Sequence, residues 1–149
     1  MTEAGAGNPR FELFDHTADI GIRAVAPTLA GLVAPAAQGL YAVIGHLVGD
    51  EGKRHPSESL TWDLSGEEPA VLLRDYLTEL LVLFDRGRSM VVEHDIKEFS
   101  AGRLIVEATV CPVDEERSAY VREVKAITYH ALAIGRTPEG YEATIIVDI

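Results

Sequence analysis

The chain has 149 residues, 47% apolar and 25% charged, the size and balance of one globular domain rather than of a disordered or fibrous chain. Lys and Arg number 13 against 24 Asp and Glu, a net charge of −11, which repels a phosphate backbone and argues against primary binding of DNA or RNA. Cys111 is the single cysteine, which excludes an intrachain disulfide and a cysteine-built zinc cluster.

Residues 1–9 read as a disordered lead-in and 10–149 as one domain. The N-terminus is acidic and small, unlike a secretory leader, and no apolar run nears the ~20 residues of a membrane helix. A cytoplasmic protein with no membrane partner is expected.

Arg10–Ala26 alternates as a half-buried strand does, through Phe11 and Leu13 and then Ile20, Ile22, Ala24 and Ala26. The polar Asp15-His16-Thr17 lies between the two stretches. Pro27 ends the strand and Thr28 is placed to cap a helix. Apolar residues from Leu29 to Ile44 then recur at helical spacing, predicting a helix to about His46 with a bend at Pro35. Glu58–Leu64 alternates again. Ser65 and Glu68 have the spacing of a capping box, Pro69 suits a first turn, and Leu72, Leu73, Tyr76, Leu77, Leu80, Leu81 and Phe84 give a broad apolar face. Gly87 is placed to end that second helix.

Met90–Phe99 and Arg103–Cys111 form strand-like runs joined by Ser100-Ala101-Gly102. Pro112–Arg122 is charged and irregular, a loop. Val124–Gly135 and Tyr141–Ile149 make a last hairpin. The order implies an α+β single domain, mainly antiparallel sheet with two helices packed on one face.

No phosphate loop, Rossmann fingerprint, G-x-S-x-G, H-E-x-x-H or C-x-x-C is present. Polar residues stand out instead where strands want apolar ones. Asp19 opens a well-alternating strand, as a candidate ligand or as a turn residue that caps backbone amides. Thr128 and His130 share one strand face with Lys125 near its mouth, a functional edge or a solvated face. Asp148 and the terminal carboxylate of Ile149 end an apolar strand. If Asp19 lies near them, three carboxylates converge and call for a neutralising cation. Hard oxygen ligands would suit Ca²⁺, Mg²⁺ or Mn²⁺, and an imidazole would admit Mn²⁺ or Zn²⁺. Cys111 reads as a buried small apolar side chain, and His46, His55 and His94 as surface residues.

The runs Asp15-His16-Thr17-Ala18-Asp19-Ile20-Gly21-Ile22 and Val124-Lys125-Ala126-Ile127-Thr128-Tyr129-His130, with the terminal Val147-Asp148-Ile149, resemble the signature of the archease family. Leu77-Thr78-Glu79-Leu80-Leu81 resembles that family's second helix. The resemblance covers nearly the whole chain from about Phe11. It implies an accessory protein rather than an enzyme. Archeases assist the RtcB-type RNA ligase of tRNA splicing and RNA repair, promoting its guanylylation by GTP in the presence of Mn²⁺ and allowing repeated turnovers. Carried over by position, the resemblance assigns a metal site to Asp19, Asp148 and the carboxylate of Ile149. Lys125 and His130, and less strongly His16 and Glu79, become candidates for contact with the ligase or nucleotide. RNA is then met only through the ligase.

An acidic chain is a poor holder of RNA and a reasonable partner for a basic, RNA-binding ligase. Two other readings use the same residues. One is a small metal-dependent hydrolase of phosphoesters with His130 as general base. The other is a chaperone-like module acting through an apolar patch.

Overall fold

The alternation at the start of the chain becomes an antiparallel pair, β1 (Arg10–His16) with β2 (Asp19–Ala26). The computed structural model describes residues 8–16, 19–51 and 54–149; Thr17 and Ala18 of the first motif and most of the expected lead-in lie outside them. Ile20, Ile22, Ala24 and Ala26 point one way along β2 and are 0–7% exposed, as a two-residue period on a half-covered sheet requires.

A 3-10 turn (Ala30–Leu32) leads into α1 (Val33–Ile44). Thr28 is not the N-cap: Leu29 precedes the 3-10 turn and Leu32 precedes α1, neither with a side-chain cap, while Thr28 Oγ1 accepts the amide of Gly31 inside the turn at 3.0 Å. Pro35 is the third residue of α1, where no intrahelical amide bond is due; the expected interruption therefore falls at the helix entry rather than mid-helix. The buried set runs almost all round α1, from Val33 to Ile44. Gly39 permits that: a Cβ there would stand 2.5 Å from Cγ2 of Ile22, so helix and sheet touch backbone to side chain.

Two further sheets follow. β3 (Gly45–His46), at the expected end of the first helix, pairs with β7 (Ala119–Tyr120), which lies in a stretch expected to be loop. β4 (Glu58–Ser65), β5 (Ser89–Phe99) and β6 (Arg103–Pro112) form a three-stranded antiparallel sheet in the order β4-β6-β5. Between β4 and β5 runs α2 (Pro69–Gly87), with Leu72, Leu73, Tyr76, Leu77, Leu80, Leu81 and Phe84 buried as its spacing predicts. The capping box does not form. Ser65 is taken by pairing with Arg103, and the N-cap is Glu68, without a side-chain bond. Nor is Gly87 the left-handed stop: Arg88 takes φ 51°, its guanidinium stacked over Phe84 (4.4 Å) and Tyr120 (4.9 Å).

The expected last hairpin is real only in part. β9 (Ala133–Thr137) and β10 (Gly140–Asp148) pair across the turn, but the preceding run is broken. Only β8 (Ala126–Ile127) is strand, and Thr128–Leu132 leaves the sheet before β9 begins. The large sheet runs β1-β2-β10-β8, with β9 also on β10. The fold is α+β with two helices and mostly antiparallel strands, as expected, though the strands divide into two main sheets rather than one. α1 packs on β1 and β2, and α2 packs on the three-stranded sheet and on β8 and β9. One apolar cluster joins them. The Val91 amide donates to Tyr41 Oη at 2.9 Å, tying α1 to β5, and burial pushes the Tyr41 hydroxyl up to about 12.

His46 and His55 are exposed as expected, although His55 Nδ1 lies 3.2 Å from Oδ2 of buried Asp50. His94 is a correction. It turns inward, its ring 5.7 Å from Tyr76 in edge-to-face contact. Cys111 is buried as expected, and burial raises its thiol. Among the described residues, no helix is long and apolar enough to cross a membrane.

Candidate functional site

Asp19 opens β2 and Asp148 closes β10, and the antiparallel register sets these two residues directly opposite one another. Ile20 faces Val147 and Ile22 faces Ile145 on the helix-covered side. By alternation the two aspartates share the other side. Directly opposed residues hold their Cβ atoms ~5 Å apart, and like charges there repel. Residues 129 positions apart by subtraction of their numbers (148 − 19) thus form one half-buried carboxylate pair.

The surroundings of the pair are apolar on one flank. Gly21 is opposite Phe14 and Ile146. A Cβ on Gly21 would stand 2.1 Å from Phe14 Cζ, so the glycine leaves the place that the ring fills. Ile146 is 1% exposed although it faces away from the helices. The Phe14 ring is itself covered by the Arg23 guanidinium at 4.9 Å, and Arg23 also pairs with Glu12.

On the other flank stands the second motif. Ala126 is opposite Asp148, and the Lys125 amide donates to the Asp148 carbonyl at 2.8 Å. Thr128 does not stand on a strand face as expected. Its amide and its hydroxyl both donate to the Ile146 carbonyl, at 3.0 and 2.8 Å, and its Oγ1 accepts the His130 amide. These two hydrogen bonds from the threonine to one carbonyl turn the chain out of the sheet. They replace the shared Thr128–His130 face with a loop that carries Tyr129 and His130 outward, Tyr129 61% exposed.

Arg74 of α2 fixes this loop, a role sequence reading missed. Its Nε donates to the Ile127 carbonyl at 3.0 Å, its Nη1 reaches Asp75 at 2.9 Å, and its guanidinium lies 4.2 Å over the Tyr129 ring. The available signal was a lone cation inside an otherwise apolar stretch of a helix flank. Tyr129 lies inside the second motif, where a strand-like run of residues hides this contact.

The structure thus brings Asp19, Asp148 and the main chain of Lys125 to one sheet end, with Ile149 next to Asp148 and His130 in the adjoining loop. His16 is the register partner of Asp19 on β1. Glu79 is elsewhere. It lines a groove with Leu60, Trp62 and Arg86 beside β4, while Arg74 of the same helix reaches β8.

Among the described residues, no group of three or more His, Cys, Asp or Glu side chains is placed to hold a metal ion. The oxygen donors that the register itself brings together at this end are the side-chain carboxylates of Asp19 and Asp148. Both are hard oxygen donors, which suit Ca²⁺, Mg²⁺ or Mn²⁺ better than a soft ion.

Comparison with known proteins places the chain. Residues 11–149 match the Archease protein family. Protein archease of Thermococcus gammatolerans is 36% identical over 134 residues, covering 88% of this chain and 92% of its own. Protein archease of Pyrococcus abyssi is 33% identical over 147 residues, covering 94% and 99%. The solution structure of Protein 1598 from Methanobacterium thermoautotrophicum superposes with a TM-score of 0.70 at 27% identity, over 93% of this chain and 98% of its own. A Thermotoga maritima crystal structure, described as an archease and possible chaperone, gives 0.64 at 20% identity over 93% and 96%, and so supports the fold. This chain belongs to the archease family.

Proposed function

We propose that this protein is an accessory factor that activates an RtcB-type RNA ligase, promoting its guanylylation by GTP and its repeated turnover. The observation that carries the reading is the register of Asp19 with Asp148, which joins the two ends of the chain into one carboxylate pair. Family membership supports the accessory role. The net charge of −11 supports a partner with a basic surface and opposes direct capture of RNA. RNA then stays with the ligase, and this protein acts from the cytoplasm on the protein partner.

In this reading Asp19, Asp148 and the Ile149 carboxylate hold one divalent ion, which when bound supplies positive charge for nucleotide phosphate oxygens. Opposed like charges become an asset at such a place, because the cation that offsets their repulsion is bound more tightly than by either alone. Lys125, fixed by its amide on Asp148, and His130, beside the Thr128 turn, are the side chains nearest in sequence and topology for contact with ligase or nucleotide.

The test is guanylylation of the ligase by labelled GTP with this protein well below the ligase in concentration. The expected result is label on the ligase beyond the amount of this protein present, and its loss with Asp148→Asn. Label that never exceeds the amount of this protein would contradict a catalytic helper. Metal-dependent phosphoester hydrolysis by the isolated protein, lost in Asp19→Asn, would replace the proposal with the hydrolase reading.

A further inference from the structure

Away from the carboxylate pair, β4 is an edge strand among the described residues. All eight of its residues pair with β6 in unbroken register, and the order β4-β6-β5 leaves its other side open. Soluble proteins usually blunt such edges with bulges, charges or proline. The opposite edge, β5, is blunted in this way: two register shifts break its ladder, and Glu93, Asp95, Lys97 and Glu98 stand exposed along it. β4 carries no bulge, proline or lysine, and of its two acidic residues Glu58 stands at the strand's start while Asp63 is held by Arg103 of β6. Its inward residues Leu60 and Trp62 are only half-buried and open, with Val82 and Leu83 of α2, into a groove of about 380 Å³.

A two-fold axis would make the lining of this groove self-complementary. α2 runs antiparallel to β4, with Leu72 beside Gly66 at one end and Tyr76 against Trp62 further along. Glu79 lies three residues before Val82 and Arg86 three residues after Leu83, and both line the groove. Leu60 and Trp62 flank Thr61 in the same way. In a two-fold interface, contact of residue i with j implies contact of j with i. Turned about an axis through Thr61, a second copy therefore sets Leu60 against the partner's Trp62 on the inner side. The same turn sets Glu79 against the partner's Arg86, and Thr61 against the partner's Thr61 on the outer face.

We infer that this protein forms a two-fold homodimer by antiparallel pairing of β4 with the β4 of a second copy, joining two three-stranded sheets into one of six strands. Main-chain hydrogen bonds and the closed Leu60–Trp62 groove hold it together. Each exposed Glu79–Arg86 pair contributes little by itself, but the two-fold repeats it, so reversing one charge turns two attractions into two repulsions. The net charge of −11 on each copy opposes association, so the dimer is weak and concentration-dependent.

Sedimentation velocity over a concentration series tests this on the full chain. The expected result is passage from a 16.2 kDa monomer to a dimer of twice that mass. Glu79→Lys, an exposed position, should weaken the dimer by about tenfold, and Glu79→Lys with Arg86→Glu should restore it. Thr61→Cys should oxidise to a covalent dimer, since directly opposed Cα atoms of an antiparallel pair stand ~4.5–5.5 Å apart. Thr109→Cys, one strand inward on β6, should not. A monomer at every concentration overturns the inference. So does a dimer indifferent to Glu79→Lys, failure of the charge swap to restore it, or equal cross-linking of Thr61→Cys and Thr109→Cys.

Discussion

Replacing His94 by leucine should flatten the acid limb of this protein's stability. The His94 ring is turned inward against Tyr76, its Nε2 is buried, and that atom has no hydrogen-bond partner among the described residues. Burial lowers the imidazole from 6.5 to about 4. In the unfolded chain the ring takes a proton near pH 6.5, whereas in the folded chain it resists until about pH 4. The unfolded state thus binds more protons between those values, so stability is full above about pH 6.5 and falls as the pH drops towards 4. The difference of about 2.5 pH units, at 1.36 kcal/mol each, sets a total of about 3 kcal/mol, of which about 2.5 is lost between pH 7 and pH 4.5. Leucine keeps an apolar contact with Tyr76 and removes the buried unpaired nitrogen, whose desolvation costs ~1–3 kcal/mol. Urea unfolding of wild type and His94→Leu at pH 7 and pH 4.5 measures the share due to this residue, because the acid response of surface carboxylates is common to both. The variant should lose about 2.5 kcal/mol less than wild type over that interval. Equal losses would refute the reasoning and show that the ring is hydrated or rearranges on protonation.

Asp19→Asn and Asp148→Asn should each leave the melting temperature within a few degrees of wild type, since both residues sit on the face away from the core, while ligase stimulation falls at least about tenfold; a folded variant that stimulates normally would remove that carboxylate from the site. Arg74→Ala should cost about 1–2 kcal/mol through the lost bond to Ile127 and the lost stacking on Tyr129, and should speed hydrogen exchange in 128–132 more than in β9. Gly39→Ala should gain ~1 kcal/mol in helix propensity but lose about 1–3 to overpacking against Ile22, a net loss of about 1 kcal/mol that calorimetry would read as a melting temperature lower by ~2–4 °C. Extending the chain beyond Ile149 should weaken Mn²⁺ or Ca²⁺ binding in a titration, because it moves the terminal carboxylate; unchanged affinity would limit the site to the two aspartates.

The parts legible in the sequence are those that local periodicity decides. The alternation in β2, the seven apolar positions of α2 and the β5–β6 hairpin all appear where their spacing puts them. His94, expected at the surface, is the exception: its step with Ile96, while Glu93, Asp95 and Lys97 occupy the outer positions, marks it as inward. Details set by long-range partners were not legible. Ser65 has the spacing of a cap, but pairing with Arg103 claims it for a strand. Arg88 rather than Gly87 takes the left-handed stop because Phe84 and Tyr120 hold its guanidinium. Thr128 has strand propensity, yet its hydroxyl finds the Ile146 carbonyl and bends the chain outward.

The candidate site divides along the same line. Asp19 and Asp148 stood out as charges where strands want apolar residues, but their register depends on the pairing of the second strand with the last, which no local pattern specifies. Family resemblance, not spacing, joined the two ends beforehand. Arg74 and Tyr129 escaped notice because their contact crosses from a helix to a loop 55 positions on (129 − 74) and leaves no periodic trace.

The most direct test of the account is multiple-turnover RNA ligation by the cognate RtcB-type ligase, with GTP and Mn²⁺ and with ligase far below substrate. The wild-type protein should carry ligation well past one product per ligase, and Asp148→Asn, folded as judged by circular dichroism, should stop it near one. Ligation that passes one turnover equally without the protein, or equally with the variant, would contradict the central claim that the paired carboxylates of Asp19 and Asp148 make this chain an activator of the ligase.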